Sequence, residues 1–597
     1  MKKFLYILPL VLAGSLSSCN DSLDLIPQSQ STEADYFKTV DDLILFTNPY
    51  YNNIPPKAAD HYGEQNDMLV QLNLSNELKG GVYRPVPDTG GGWSWTDLRR
   101  INSLLARIDR CPDKAAVLEY TALSRLFRAY FYFEKVKRFG DVPWYDTEIG
   151  SADIDLLYKP RDSREYVMQK MLEDIDFAIE NMPDHKTQVQ VPFRATKWTA
   201  LALKSRFCLF EGTFRKYHGI DLEGHDWKYY LEQAADASSK LINQGPYKIY
   251  STGDPANDYR NLFIAEVANS DEYIFAISYD MGTSQFHDAW GFSFSPGRGA
   301  PGYTRKFVNM YLMKDGKAFT DQPGWQEMTY IDEMKNRDPR LAQSIRSAGF
   351  KLNGKTYLPN LAESTTGYNP TKFAPDGVTR NDYCTNDFPI FRIAEIMLNY
   401  AEAKAELGTL TQSDLDMTVN KIRDRVAMPH LNMAAANAAP DRYLSDAETG
   451  YPNVTGANKG VILEIRRERA VELVQEGFRW LDVRRWKAGY CYDQPITGMY
   501  FPGPGEYDLD GDNKADIILY ANGTSKPSAG DGVQVYEIGS DVKLTNGDRG
   551  YVNFHRDIER FSFNEARDYY YPLPLYDLNL SLEINAEDPP LKQNPGW

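Results

Sequence analysis

The chain has 597 residues, 42% hydrophobic and 25% charged, with 66 basic against 83 acidic side chains for a net charge of −17. A body of this length buries one very large core or several, and its apolar content excludes a disordered chain. No basic tract is present, so nucleic acid and direct binding to anionic headgroups are excluded as main partners.

The chain opens on Lys2 and Lys3, an apolar stretch from Phe4 to Leu16, and then Leu16-Ser17-Ser18-Cys19. An apolar run of about a dozen residues behind a positive pair is a secretory signal, too short to span a bilayer. Two small residues before a cysteine resemble the bacterial lipobox. This assigns residues 1–18 to a lipoprotein signal peptide and Cys19 to lipidation, its thiolate being the nucleophile that takes a diacylglycerol. Residues 19–30, polar and carrying Asp21, Asp24 and Pro27, are expected to form a lipidated tether.

Over 31–249 apolar residues recur at helical spacing from Trp95 to Arg110, Lys114 to Phe139, Ser163 to Asn181, Thr196 to Tyr217 and Trp227 to Ile242. Short breaks between them predict stacked helical hairpins. Gly140 and Pro143 supply a stop after Phe139. From 250 to 385 the period fades into Gly, Pro, Asn and aromatic residues, with short alternating pieces such as Tyr273 to Tyr279, which predicts an irregular loop-rich lobe. Helices return within 386–597, at Phe391 to Leu407 and in a pair from Asn458 to Lys487 turning near Gly477. Phe391, Ala394, Leu398, Ala401 and Ala405 share one face, opposite Arg392, Glu395, Asn399 and Glu402.

Glu468, Glu472 and Glu476 recur at four-residue spacing, an unfavourable like-charge row that needs cations. Arg466, Arg469, Arg479, Arg484 and Arg485 are near enough in sequence to supply them, as a structural network rather than an acid–base centre. Cys111, Cys208, Cys384 and Cys491 show no C-x-x-C spacing and are expected to be isolated buried thiols. The seven histidines form no H-E-x-x-H, and no G-x-S-x-G is present, which argues against a zinc enzyme and an elbow hydrolase.

The run from Phe391 to Glu395, Tyr400-Ala401-Glu402-Ala403, Asn420 to Arg425, the stretch from Arg467 to Trp486, Tyr571 to Pro574 and the terminal Gln593-Asn594-Pro595-Gly596-Trp597 resemble, in order, the motifs of the SusD/RagB lipoproteins of Bacteroidetes. Arg128-Ala129-Tyr130 and the run from Phe139 to Pro143 are similar to that family's N-terminal helical region. The resemblance implies a mainly α-helical fold, tetratricopeptide-like hairpins cradling an irregular lobe. It also implies a non-catalytic, cell-surface lipoprotein anchored in the outer membrane, one that captures a nutrient, usually a glycan, and delivers it to a TonB-dependent SusC-like transporter barrel.

A sugar presents a C–H face and a rim of hydroxyls, so a glycan site needs flat aromatic platforms beside fixed donors and acceptors. Gly90-Gly91-Gly92-Trp93-Ser94-Trp95 places Trp93 and Trp95 on a glycine turn before a helix, where the family resemblance implies a glycan platform, with Arg84 and Asp97 as polar candidates. A second stretch offers Trp290, Phe292, Tyr303 and Arg298, joined by Trp325. Packing of a hairpin junction or of the irregular lobe is the rival reading for all of these aromatic residues.

Asp508, Asp510, Asp512, the Lys514 carbonyl and Asp516 occupy positions 1, 3, 5, 7 and 9 of a tight loop, a candidate structural Ca²⁺ site against an acidic solvated turn. Position 12 is Leu519, so a bidentate glutamate is missing, while Asn513 tolerates a left-handed turn. Two other readings stay open: an oligopeptide-binding uptake lipoprotein on the same scaffold, and a surface glycoside hydrolase.

Overall fold

The computed structural model describes residues 36–150, 152–185, 190–378, 380 and 382–597. The expected signal peptide (1–18), Cys19 and the expected tether (19–30) lie outside the described residues.

The body is mainly helical. Helices α1 (Val40–Asn53), α2 (Thr96–Leu105), α3 (Lys114–Phe139), α4 (Arg164–Asn181), α5 (Lys197–His218) and α6 (Trp227–Gln244) form the N-terminal half. Their ends follow local chemistry. Asp113 caps α3 by accepting from the Ala115 and Ala116 N–H groups, and the chain leaves the helix at Gly140. Ser163 caps α4 and Thr196 caps α5. The helices pack as neighbouring pairs, α3 on α4 and α5 on α6, in keeping with the helical hairpins expected from the spacing.

Helix α5 lies at the centre and is buried on all sides from Trp198 to Arg215, as befits a helix with apolar residues around its circumference. Gly212 lets α6 approach, since a Cβ there would stand 2.7 Å from Leu231 Cγ and 2.9 Å from the Trp227 carbonyl. The polar side chains on α5 are paired: Arg206 with Glu395 at 2.7 Å, Arg164 with Glu211 at 2.6 Å, and Arg215 with Glu211 at 2.6 Å.

Strand β1 (Tyr273–Ile277) pairs antiparallel with β2 (Phe388–Arg392), Tyr273 opposite Arg392 and Ile277 opposite Phe388. Helix α7 (Ile393–Leu407) follows β2 directly and packs on α6 and on α8 (Lys459–Glu472). Phe391 and Arg392 therefore belong to a strand, not to the predicted helix. Both faces of α7 are buried, including Glu395, Asn399 and Glu402.

Helix α8 ends at Glu472, a turn carries Gln475 and Gly477 at positive φ, and α9 (Arg479–Arg485) follows. Glu476 thus leaves the helical row of glutamates. The cations that answer these glutamates also differ from the sequence expectation. Glu472 faces Arg340 at 3.1 Å, Arg392 at 2.7 Å and Arg425; Glu468 faces Arg340 at 2.6 Å and Arg423 at 2.8 Å; Glu476 faces Arg392 at 2.7 Å and Lys372 at 2.6 Å. The nearby arginines turn elsewhere, Arg469 to Asp482, Arg479 to Asp67 and Arg485 to Glu402.

Further on, β3 (Gly505–Tyr507) and β5 (Gln534–Glu537) flank β4 (Ile517–Tyr520), antiparallel and parallel respectively. Helix α10 (Leu575–Ile584) is the last helix among the described residues. One large core runs from Tyr50 to Leu573 across the helical and irregular stretches alike. Cys111, Cys208, Cys384 and Cys491 are buried and free.

Candidate ligand-binding site

Gly90, Gly91 and Gly92 take φ of 74°, 58° and 88°, left-handed backbone that costs a residue without Cβ little. Helix α3 holds this turn: Lys135 Nζ donates to the Gly92 carbonyl at 2.5 Å and Arg138 Nε to the Gly91 carbonyl at 2.8 Å. A Cβ on Gly92 would stand 2.8 Å from Arg138 Nε. The turn delivers two tryptophans. Trp93, only 8% exposed, is edge-on to Phe139 at 4.9 Å and to Trp95 at 5.2 Å, so it fills the junction. Half-buried Trp95 rests against Phe131 at 5.8 Å and Tyr145 at 5.7 Å.

Beside them opens a cleft of about 430 Å³, lined by Trp95, Tyr145, Tyr158, Asn102, Lys159 and Asp577 among others. Its wall is braced. Asn102 Nδ2 donates at 3.0 Å to the carbonyls of both Tyr145 and Thr147. The Tyr145 hydroxyl donates to the Leu156 carbonyl at 2.9 Å, and Lys159 pairs with Asp162 at 2.6 Å. Burial pushes the Tyr145 hydroxyl up to about 12 and Lys135, behind Trp95, down to about 8. Burial also raises the Asp577 carboxyl above its ordinary range. Flat rings beside sparse polar groups suit a ligand with an apolar face and a hydroxylated rim.

The other candidates stand outside this cleft. Arg84 is buried, paired with Asp568 at 2.8 Å and held between the rings of Tyr571 and Trp597 at 5.1 Å from each. Asp97 accepts from Asn53 Nδ2 at 3.0 Å and so joins α2 to α1. Phe292 and Tyr303 belong to the main core, the Tyr303 hydroxyl donating to Gln475. Trp290 packs on Phe294 at 5.3 Å, Arg298 is exposed and paired with Asp288 at 3.1 Å, and Trp325 packs edge-on to Tyr443 at 5.9 Å. The structure thus joins Trp93 to Trp95 but not to the second stretch.

Tyr145, Tyr158, Asn102, Lys159 and Asp577 escape the sequence reading because they converge from four separate stretches of chain. One signal was available: Tyr145 follows the Gly140–Pro143 stop, where an aromatic residue just outside a helix has no helical core to fill.

In the acidic loop, carboxylate oxygens of Asp508, Asp510 and Asp516 lie within 4.8 Å of one another. Asp512 instead pairs with Lys514 Nζ at 2.8 Å. Asp508 accepts from the N–H groups of Asp510, Gly511 and Asn513, and Asn513 takes φ of 63°. Leu519 at position 12 is buried in β4. Three hard oxygens are a donor set suited to Ca²⁺, and the turn hydrogen bonds account equally for their convergence.

The chain spans nearly the whole of two SusD-like proteins of Formosa agariphila. One is 24% identical over 84% of this chain and 95% of its own length, the other 25% identical over 82% and 92%. Among solved structures, a SusD-like protein from Bacteroides fragilis superposes with a TM-score of 0.67 at 20% identity, covering 95% of this chain and 99% of its own. A SusD-like carbohydrate binding protein from the same species gives 0.66 at 19% identity, covering 91% and 98%. Residues 21–209 match the family described as starch-binding associating with outer membrane. Residues 271–597, more than half of the chain, match the model of the SusD family, and the chain belongs to that family.

Proposed function

We propose that this protein captures a glycan in the cleft beside Trp95 and delivers it, without chemical change, to a SusC-like TonB-dependent transporter barrel in the outer membrane. The observation that carries the reading is the aromatic cleft itself: a helix-braced glycine turn presents Trp95 next to Tyr145 and Tyr158 in a volume that suits a small oligosaccharide segment. The matched family description, starch-binding associating with outer membrane, supports the ligand class and the location. So does the likeness in fold to a SusD-like carbohydrate binding protein. A diacylglycerol on Cys19 would hold the body at the membrane, each buried CH₂ adding about 0.8 kcal/mol. Among the described residues no helix is long and apolar enough to cross one.

Capture without hydrolysis is supported by the acid inventory of the cleft. Among the described residues Asp577 is the single carboxylate that lines it, whereas glycoside hydrolysis uses a pair. Titration of the soluble chain from Asn20 against glycans and peptide digests, with mass spectrometry of the recovered ligand, tests the reading. Saturable binding of one glycan class with unchanged mass supports it; binding of peptides alone, or cleavage of the glycan, overturns it. Recovery of a TonB-dependent barrel with the lipidated chain from native membranes tests the partner.

A further inference from the structure

We propose that the glycan taken by this cleft carries short acyl esters, seated against Ile149, Leu157, Leu580 and Leu591. The inference rests on the glycan reading above and narrows its substrate class. These four side chains line the same cleft as Trp95 and Tyr145, and each is partly or largely exposed. A branched aliphatic side chain offers a sugar neither a flat face to stack on nor a hydrogen-bond partner. A hydroxyl pressed against it loses water and gains nothing, while an acyl methyl there leaves water at a profit.

Three polar lining groups near these residues are already engaged. The Asn102 amide serves two backbone carbonyls, Lys159 serves Asp162 and the Trp144 carbonyl, and Ser581 Oγ accepts from the Leu591 N–H at 2.8 Å. An ester removes one hydroxyl that would need such a partner and keeps a carbonyl that only accepts, which Arg99 or Thr96 on the cleft lining can meet.

Both elements flanking the cleft also expose apolar side chains. The short helix Ile154–Leu157 exposes Ile154 and Leu156, and α10, in which only Ser581 is buried, exposes Leu582 and Ile584. Exposed apolar surface beside a cleft marks a binding surface. Here it gives room for substituents on neighbouring sugar units.

The test pairs acetylated xylan, mannan and pectin oligosaccharides with their alkali-deacetylated counterparts and titrates each against the parent chain and a Leu580→Asn variant. Leu580 is half-exposed on α10, so the variant keeps its fold, checked by circular dichroism. The acetylated form of the bound glycan is expected to bind about tenfold more tightly than the deacetylated form, and Leu580→Asn to weaken the acetylated form far more than the deacetylated one, so that the preference shrinks to about twofold or less. Equal or tighter binding of the deacetylated form overturns the ester inference and leaves glycan capture standing. Binding of neither form of any glycan, alongside binding of peptides, overturns both.

Discussion

Gly92 and Trp95 show how two residues divide one site between backbone and side chain. Gly92 sits at φ of 88° against Arg138 Nε, so Gly92→Ala adds strain of about 1–3 kcal/mol and displaces the turn. Chemical denaturation is expected to show a loss of that size together with weaker glycan binding; no change in either would mean that the turn does not set the cleft. Trp93 and Trp95 were legible in the sequence because three glycines before a helix demand a tight turn and leave the next large side chains without an obvious core. That reasoning does not distinguish a platform from a plug, and the structure places Trp93 nearer the plug, edge-on to Phe139.

At the scale of elements, the glutamates of α8 and its following turn are held by Arg340, Arg392, Arg423, Arg425 and Lys372, drawn from distant parts of the chain. Arg392 is 1% exposed and reaches Glu272, Glu472 and Glu476 at once. Arg392→Met leaves buried carboxylates short of a partner and is expected to cost about 3–5 kcal/mol. Lys514→Ala, in an exposed pair, is expected to leave the midpoint of the same denaturant titration unchanged. Helices α3 to α6 could be read from the sequence because spacing, caps and stops are local, as at Asp113 and Gly140. Phe391 and Arg392 could not, since the strand they form exists only by pairing with Tyr273 to Ile277, more than a hundred residues earlier. The charge partners of Glu468, Glu472 and Glu476 escaped for the same reason.

The whole molecule responds to acid through groups held in one charge state. Burial lowers His61 from an ordinary 6.5 to about 3 and His287 to about 4. The unfolded chain therefore binds protons on these rings below pH 6.5 while the folded chain does not, and stability falls as pH drops through that range. Glu402 follows lower down: burial opposes ionisation, but Arg485, Arg469 and Arg466 outweigh it and bring the carboxyl from 4.5 to about 2. Glu64 and Asp387, raised by burial to about 7 and about 6, take up protons in the folded chain over the same range and oppose the histidines, so stability measured against pH is expected to decline only gently below about 6.5 and to fall more steeply under about 4.5; no fall between 4.5 and 3 would contradict this charge assignment. The role proposed for this body is to present one aromatic cleft to a glycan. Calorimetric titration of the parent chain and Trp95→Ala with the same glycan, on samples matched for thermal stability, tests this most directly. Affinity at least about tenfold weaker is expected in the variant; equal affinity would place the glycan elsewhere and contradict capture at Trp95.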